Sequence, residues 1–154
     1  MKTHPVLQTC LILALAAIAV PARAEVSPFD RARAEAHCAA EWTKRGTLDR
    51  DMYAYCMDRQ TEGYQEALQL RAENAAMEDI DDIVRFAEDK WLDGRDYQFE
   101  MVAYEIEGQV DAFLNIAYDM KAGKYSEAQV MACLMEWYST AEPQWDMVEY
   151  CLRD

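Results

Sequence analysis

One pattern of residues occurs near both ends of the chain, and this internal repeat limits the possible folds more than any other feature of the sequence. The stretch from Cys38 to Cys56 reads CAAEWTKRGTLDRDMYAYC, and the stretch from Cys133 to Cys151 reads CLMEWYSTAEPQWDMVEYC. The two stretches align without a gap, with Cys, Glu and Trp at their start and Asp, Met, Tyr and Cys at their end. Repetition of this kind predicts a domain assembled from copies of one structural unit.

A third copy of the pattern lies between these two, but its cysteines are missing. Its tryptophan, methionine and tyrosine follow those of the first copy by 49 residues and precede those of the last copy by 46 residues. The aligned residues are Trp42, Trp91 and Trp137, then Met52, Met101 and Met147, then Tyr55, Tyr104 and Tyr150. In the same alignment Ala87 and Glu105 occupy the two cysteine positions of the middle copy. Periods of this length are typical of helical-hairpin repeats.

Both cysteines are absent from the middle copy, and this joint absence predicts how the other four pair. Four cysteines allow three pairings. If each bridge joins two cysteines of one copy, a copy without a bridge lacks both cysteines, whereas bridges between copies require no such match. We therefore predict the disulfides Cys38–Cys56 and Cys133–Cys151, each tying two helices near a turn and each contributing about 3 kcal/mol of stability.

Turn residues and apolar periodicity indicate that each copy is a pair of helices. Proline is absent between Pro28 and Pro143, and Gly46, Gly94 and Gly123 fall at the expected turns. Apolar residues recur at steps of three and four, which is the period of a helix with one buried face. We predict an all-α domain of three antiparallel helical hairpins in tandem, stacked as a short α-solenoid or closed into a compact helical bundle. The hairpins span about residues 27–74, 76–122 and 126–154, and two of them are stapled by disulfides.

The ends of the first helix have their own signals. Ser27 is the expected N-cap, and Pro28 suits the first helical position. Lys44 and Arg45 favour the carboxyl end of a helix dipole, so we expect this helix to end near Gly46.

Residues 1–24 have the composition of a cleavable secretory signal. Lys2 precedes an apolar run from Leu11 to Val20 that is too short to span a bilayer, and small residues follow the run. Cleavage would leave residues 25–154 as a single domain in the periplasm or outside the cell, with no segment that would insert into a membrane. Disulfides are expected in such an oxidising compartment.

The charge of the chain restricts its partners. The net charge is -14, and loss of Lys2 and Arg23 with the signal would leave -16. Nucleic acids and anionic lipids bind clustered Lys and Arg, so an acidic surface of this kind argues against both as partners. Charge of this kind favours a solvated acidic coat over a dedicated binding site. Among partners it favours another protein, and a basic protein over an acidic one. The oligomeric state stays open.

The repeated Trp, Met and Tyr residues named above are assigned to packing within the hairpins. Aromatic and methionine side chains at helical spacing usually supply buried apolar area. The alternative is a row of aromatic contacts for a ligand. Gln60 and Gln109 follow the second cysteine position by one helical turn, and we expect their side chains to satisfy backbone groups at the joints between hairpins.

The first copy carries a spacing that can be written as Cys, three residues, Trp, thirteen residues, Cys, three residues, Gln. Its residues are Cys38, Trp42, Cys56 and Gln60. This motif resembles one found in uncharacterised exported bacterial proteins. The resemblance covers the first copy in full and the last copy up to the end of the chain. It implies an exported helical repeat and carries over no functional residue.

The sequence lacks a recognisable catalytic constellation. Beyond the signal the chain has one histidine, His37, and its four cysteines are expected to be oxidised, which leaves too few ligands for a zinc or copper site. No nucleophile motif such as G-x-S-x-G accompanies the histidine. Because carboxylates are abundant, a hydrolase of envelope polymers that uses an acid and base pair stays an enzymatic alternative. No residue pattern in the sequence marks such a pair. We predict a non-enzymatic, protein-binding or adaptor module without a cofactor.

The segment DKWLDGRDYQFE supports a further alternative, a calcium or cation site. In an alignment with an EF-hand loop, Asp89, Asp93 and Glu100 occupy ligand positions 1, 5 and 12. Trp91 stands at the third ligand position, where an oxygen ligand is required, and Asp96 replaces the usual apolar residue at the eighth position. The segment from Asp89 to Glu100 is kept as an alternative binding site.

Overall fold

The computed structural model describes residues 25–92, 97–137 and 144–154, and these residues form an all-α domain. The predicted signal in residues 1–24 lies outside the described residues. The elements, in chain order, are α1 (Arg31–Trp42), β1 (Thr43–Lys44), β2 (Thr47–Leu48), α2 (Arg50–Glu73), α3 (Ile80–Trp91), α4 (Phe99–Lys121), α5 (Glu127–Trp137) and α6 (Trp145–Arg153). The all-α part of the predicted fold class is confirmed, and none of the described helices is long and apolar enough to cross a membrane.

Helix α1 is shorter than predicted at both of its ends. Its N-cap is Asp30, whose carboxylate accepts a hydrogen bond from the backbone N–H of Arg33 at 3.1 Å. Ser27 is not the cap, because its backbone N–H and its hydroxyl both donate to the carboxylate of Glu88. The helix ends at Trp42.

A two-stranded β-hairpin joins α1 to α2 in place of the expected last turn of helix. Strands β1 and β2 are antiparallel, and the residues between them, Arg45 and Gly46, have φ angles of 53° and 80°. Positive φ at both central residues is the conformation of the tight turns that best match the twist of two strands. Asp49 then caps α2 by accepting the backbone N–H of Met52 at 3.2 Å.

Helix α4 lies at the centre of the domain, where it contacts α2, α3 and α6. Further direct contacts pair α1 with α2, α5 with α6 and α2 with α3. Apolar side chains that are almost fully buried form the core between these helices. The largest of them are Ile83 and Val84 of α3, Phe99, Val102 and Ile106 of α4, and Val148 of α6.

The structure contains both predicted disulfides. Cys38–Cys56 joins α1 to α2, and Cys133–Cys151 joins α5 to α6. The two bonds have the same sequence separation of 18 residues, so each restricts the unfolded chain to a similar degree. Disulfides of this kind indicate an oxidising environment.

An ion pair takes the place of the disulfide between α3 and α4. Glu105 stands at the second cysteine position, and its carboxylate accepts hydrogen bonds from Lys90 Nζ at 2.7 Å and from the indole N–H of Trp91 at 3.3 Å. Lys90 occupies the position at which the other copies have Glu41 and Glu136. The middle copy has therefore exchanged cysteine for glutamate and glutamate for lysine, and a polar link still joins its two helices.

Two buried glutamines connect successive helix pairs in the way that the sequence predicted. The side-chain oxygen of Gln60 accepts the backbone N–H of Phe99 at 2.8 Å, and that of Gln109 accepts the backbone N–H of Trp145 at 2.6 Å. Phe99 and Trp145 are the first residues of α4 and α6. Each glutamine therefore satisfies an N–H group that has no partner within its own helix.

Candidate functional site

The repeated tryptophans and methionines are partly buried, but the repeated tyrosines are exposed. The partly buried residues are Trp42, Met52, Trp91, Met101, Trp137 and Met147. Tyr55, Tyr104 and Tyr150 are 58%, 68% and 54% exposed, so the expected packing role does not hold for them. Each tyrosine immediately precedes the second cysteine position, whose side chain faces the paired helix. A step of one residue turns a side chain by about 100° around the helix axis, which directs the tyrosines to solvent.

The three tyrosines lie at equivalent positions on helices that pack in series. Tyr55 is on α2, Tyr104 is on α4 and Tyr150 is on α6, and α4 contacts both of the other helices. We call Tyr55, Tyr104 and Tyr150 the tyrosine row.

Carboxylates surround the middle of the tyrosine row. A shallow cleft of about 540 Å³ lies beside Tyr104. Its other lining residues are Arg59, Glu66, Glu100, Met101 and Glu107. The guanidinium of Arg59 donates to Glu100 at 2.7 Å and to Glu62 at 3.0 Å, so its positive charge is already matched by two carboxylates. The cleft therefore carries an excess of negative charge.

His37, Glu41 and Cys56 lie together in a small cleft of about 130 Å³ that also includes Tyr55. Their potential ligand atoms are within 4.8 Å of one another, and His37 Nε2 is 3.6 Å from the Glu41 carboxylate. Cys56 is bonded to Cys38, so it has no thiolate with which to bind a metal ion. The two remaining groups are fewer than the three protein ligands of a catalytic zinc site.

The residues of the calcium alternative line different clefts. Asp89 is exposed and lines a cleft beside the N-terminal segment, whereas Glu100 lines the cleft beside Tyr104. Asp93, the third predicted ligand, lies outside the described residues. A calcium ion at this segment would have to compete with Arg59 for the carboxylate of Glu100.

A polar cluster that the sequence did not predict holds the residues before α1. The carboxylate of Glu88 accepts the backbone N–H of Ser27 at 2.6 Å and its hydroxyl at 2.9 Å. Burial raises the pKa of Glu88, and these two hydrogen bonds offset only part of the shift. The hydroxyl of Tyr97 accepts the backbone N–H of Asp30, and burial raises the pKa of Tyr97. These polar groups bind one another, so the cluster anchors the N-terminal segment.

An apolar groove of about 330 Å³ lies between α4, α5 and α6, and we call it the C-terminal groove. Its lining residues are Phe113, Ile116, Ala117 and Met120 of α4, Glu127, Val130, Met131 and Leu134 of α5, and Trp145 of α6. Among the described residues that line it, Glu127 is the one with a charge, and Met131 is 49% exposed. Sequence reasoning missed the groove, although the apolar positions of α5 at steps of one, three and four were a signal for it.

No protein-family model, no curated protein and no solved structure matches the chain. The resemblance to uncharacterised exported bacterial proteins therefore stays a prediction.

Proposed function

We propose that this chain is an exported, non-enzymatic module that binds another protein through an acidic helical surface centred on the tyrosine row. One observation carries the proposal. Tyr55, Tyr104 and Tyr150 are all more than half exposed at the same position of three helices that pack in series. Tyrosine is enriched among the residues that contribute most to protein interfaces, because its ring offers a large contact area with few rotatable bonds.

The proposed architecture is three antiparallel helical hairpins in tandem, about residues 27–74, 76–122 and 126–154, stacked as a short solenoid. Direct contacts within the pairs α1 and α2, α3 and α4, and α5 and α6 support this arrangement. The serial contacts from α2 to α4 and from α4 to α6 support it as well, because a solenoid unit contacts its neighbours in the chain. A stack of this kind would present equivalent side chains as a row.

The proposed partner is a basic protein. The chain has 29 acidic and 15 basic residues, and the described residues of the cleft beside Tyr104 contribute three carboxylates against a single arginine. That arginine is Arg59, which is already paired with Glu62 and Glu100. Glu66 and Glu107 form no ion pair within the part of the chain that the structure describes, so their carboxylates would meet lysine or arginine side chains of a partner, whose cationic groups also bind favourably over tyrosine rings.

Export to the periplasm or to the cell exterior is part of the proposal. The disulfides Cys38–Cys56 and Cys133–Cys151 support it, because such bonds persist in oxidising compartments and are rare in the reducing cytosol. The composition of residues 1–24 supports it independently.

The test is capture of a partner in the native compartment by the full, oxidised chain, followed by measurement of its affinity. Replacing Tyr55, Tyr104 and Tyr150 by alanine together should lower that affinity at least about tenfold. The matched control is Tyr118→Ala, because Tyr118 is also on α4 and is 74% exposed but is not in the tyrosine row. The control should bind as the unaltered chain does.

Ionic strength provides a second measurement on the same complex. Attraction between an acidic surface and a basic partner weakens as salt screens the charges, so retention should fall at high ionic strength. A complex that is equally tight with the triple variant, or equally retained at high salt, would contradict the proposed surface. Absence of any cross-linked partner under both salt conditions would contradict the binding function itself.

A further inference from the structure

The C-terminal groove has an equivalent elsewhere in the domain, at the joint between α2, α3 and α4. The repeat spacings of 49 and 46 residues align Tyr64 with Phe113 and Phe99 with Trp145. The ring centroids of Tyr64 and Phe99 are 5.1 Å apart with an interplanar angle of 70°, and those of Phe113 and Trp145 are 4.9 Å apart with an angle of 84°. The two joints therefore contain the same edge-to-face aromatic pair.

The first of these joints is filled by a segment of the chain itself. The ring of Phe29 lies 5.5 Å from that of Tyr64 and 5.8 Å from that of Phe99. Val26 is buried as well, with 5% of its surface exposed, and Ser27 binds Glu88 of α3. Residues 25–30 thus enter the first joint before α1 begins, with an aliphatic side chain and an aromatic ring three residues apart.

The second joint differs from the first at the residues that would close it. At the first joint Arg71 of α2 donates to Asp81 of α3 at 2.7 Å. The aligned residues at the second joint are Met120 and Glu127, which cannot form an ion pair with each other. Among the described residues, α2 and α3 make few direct contacts, and α4 and α5 make fewer still. The space between α4 and α5 is the C-terminal groove.

The chemistry of the C-terminal groove also differs from that of the first joint. Leu134 stands where the first joint has Glu88, so the acceptor that binds Ser27 is replaced by an apolar side chain. Among the described residues the structure gives Glu127 no ion pair, and its carboxylate stands at the edge of an otherwise apolar lining. Met131 extends that lining to the surface, and methionine adapts to partners of different shape.

We propose that the C-terminal groove binds an extended peptide segment of a partner protein, and that this segment carries an aromatic residue and a neighbouring lysine or arginine. The aromatic ring packs against Phe113 and Trp145, as Phe29 packs against Tyr64 and Phe99 at the first joint. The cationic side chain pairs with Glu127, as Arg71 pairs with Asp81. The groove is separate from the tyrosine row, so this site extends the proposed function and can be tested without it.

The test uses a labelled synthetic peptide with the sequence Val-Ser-Pro-Phe, which copies residues 26–29, extended by two lysines at each end. Its binding to the full, oxidised chain is measured by fluorescence anisotropy. Replacing the phenylalanine of the peptide by alanine should weaken binding at least about tenfold, because burial of one aromatic side chain is lost. Replacing the lysines by glutamates should also weaken binding, because Glu127 then faces like charges.

Two protein variants report on the groove itself. Met120→Arg places an arginine opposite Glu127 and rebuilds the ion pair of the first joint, so it should close the groove and weaken peptide binding at least about tenfold. Ala117→Trp fills the groove from an exposed position of α4 and should have the same effect. Leu114→Arg is the matched control, since Leu114 is on α4, is 49% exposed and does not line the groove. The control should bind within about twofold of the unaltered chain.

The possible outcomes separate this site from its alternatives. Binding that depends on the peptide phenylalanine and is lost in Met120→Arg but kept in Leu114→Arg supports the proposal. Absence of binding at millimolar peptide, or equal binding by Met120→Arg, overturns it. A dimer that dissociates on dilution and disappears in Met120→Arg also overturns it, because the occupant is then a second copy of the chain. Loss of the tyrosine row should leave peptide binding unchanged, so the two proposals fail separately.

Discussion

Replacement of Gly63 by alanine tests how closely α2 and α4 approach each other. Gly63 is buried in the middle of α2, and a Cβ atom built on it would lie 2.4 Å from the backbone nitrogen of Glu100. The same atom would lie 2.5 Å from Glu100 Cα and 2.6 Å from the carbonyl carbon of Phe99. Carbon atoms in good contact are about 3.5–4.0 Å apart, so the backbones of the two helices would have to separate by about 1 Å.

The size of the effect follows from three contributions. Overpacking of a closely packed site costs about 1–3 kcal/mol, and here the obstructing atoms are backbone atoms that cannot move aside alone. The shift also disturbs the hydrogen bond from the Phe99 N–H to Gln60, which contributes about 1 kcal/mol. Alanine regains about 0.5–1 kcal/mol of helix propensity relative to glycine. We expect Gly63→Ala to lower the free energy of unfolding by about 2 kcal/mol.

The matched control is Gly108→Ala in the middle of α4. A Cβ atom at Gly108 would have no neighbour within 4 Å among the described residues outside its own stretch of helix, so this variant gains helix propensity without a clash. It should raise the free energy of unfolding by about 0.5–1 kcal/mol. Urea unfolding of the oxidised protein, followed by circular dichroism, measures both variants. Equal stabilities for the two variants would refute the close approach of α2 to α4 at Gly63.

Three further predictions concern the links between helices. Gln60→Ala and Gln109→Ala should each lower the free energy of unfolding by about 1–3 kcal/mol, because a buried backbone N–H loses its acceptor. Urea unfolding measures both variants against Gln69→Ala, a control at an exposed position. An equal effect at all three positions would contradict this prediction. The combined change Ala87→Cys, Lys90→Glu and Glu105→Cys should create a third disulfide that adds about 3 kcal/mol to the free energy of unfolding. Non-reducing peptide mapping detects this bond. Free thiols at positions 87 and 105 would contradict the repeat alignment. Burial alone would raise the pKa of Glu105, but hydrogen bonds from Lys90, Gln109 and Trp91 lower this pKa below its usual value of 4.5. The contribution of Glu105 to folding stability is therefore present above pH 4.5 and is lost as the pH falls through the lowered pKa. Urea midpoints between neutral and acidic pH should therefore fall less steeply for Glu105→Gln than for the unaltered chain, and parallel curves would contradict the assignment.

The all-α fold class and the disulfides were predictable because both depend on the spacing of residues along the chain. Helical periodicity is a local property, and three copies of one pattern supply it three times. The pairing Cys38–Cys56 followed from the absence of both cysteines at Ala87 and Glu105. The role of Gln60 was predictable for the same reason, since Gln109 repeats it one copy later and places an acceptor at the start of the next helix pair.

The N-terminal segment could not be predicted, because its partners lie far along the chain. Ser27 and Pro28 are strong local signals for a helix start. However, the carboxylate of Glu88, 61 residues away from Ser27, accepts hydrogen bonds from the backbone N–H and the hydroxyl of that serine. Phe29 packs on Phe99, which is also remote in sequence. Local capping preferences contribute about 1 kcal/mol, and two hydrogen bonds together with a buried aromatic ring outweigh them.

The exposure of the tyrosine row was within reach of the sequence. In α2 the buried residues Cys56, Gln60, Gly63 and Ala67 define one face at steps of three and four. Tyr55 lies one residue before that face begins and therefore points away from it. The recurrence of tyrosine in three copies suggested a common role, but recurrence alone does not distinguish a buried side chain from a solvent-exposed one. The direction of the side chain does distinguish them, and it follows from the helical period.

The two joints of the domain can be compared with each other, and this comparison cannot be made from any one position of the sequence. Both joints have a buried glutamine that caps the next helix and an edge-to-face aromatic pair beside it. Because these features are shared, they belong to the scaffold, and the features that differ are the candidates for function. The first joint holds Phe29 and is closed by Arg71 and Asp81, whereas the second has an apolar groove and a carboxylate at its edge. Phe29, which packs against Tyr64 and Phe99 in the first joint, is therefore the model for the aromatic residue of the peptide that we propose for the C-terminal groove.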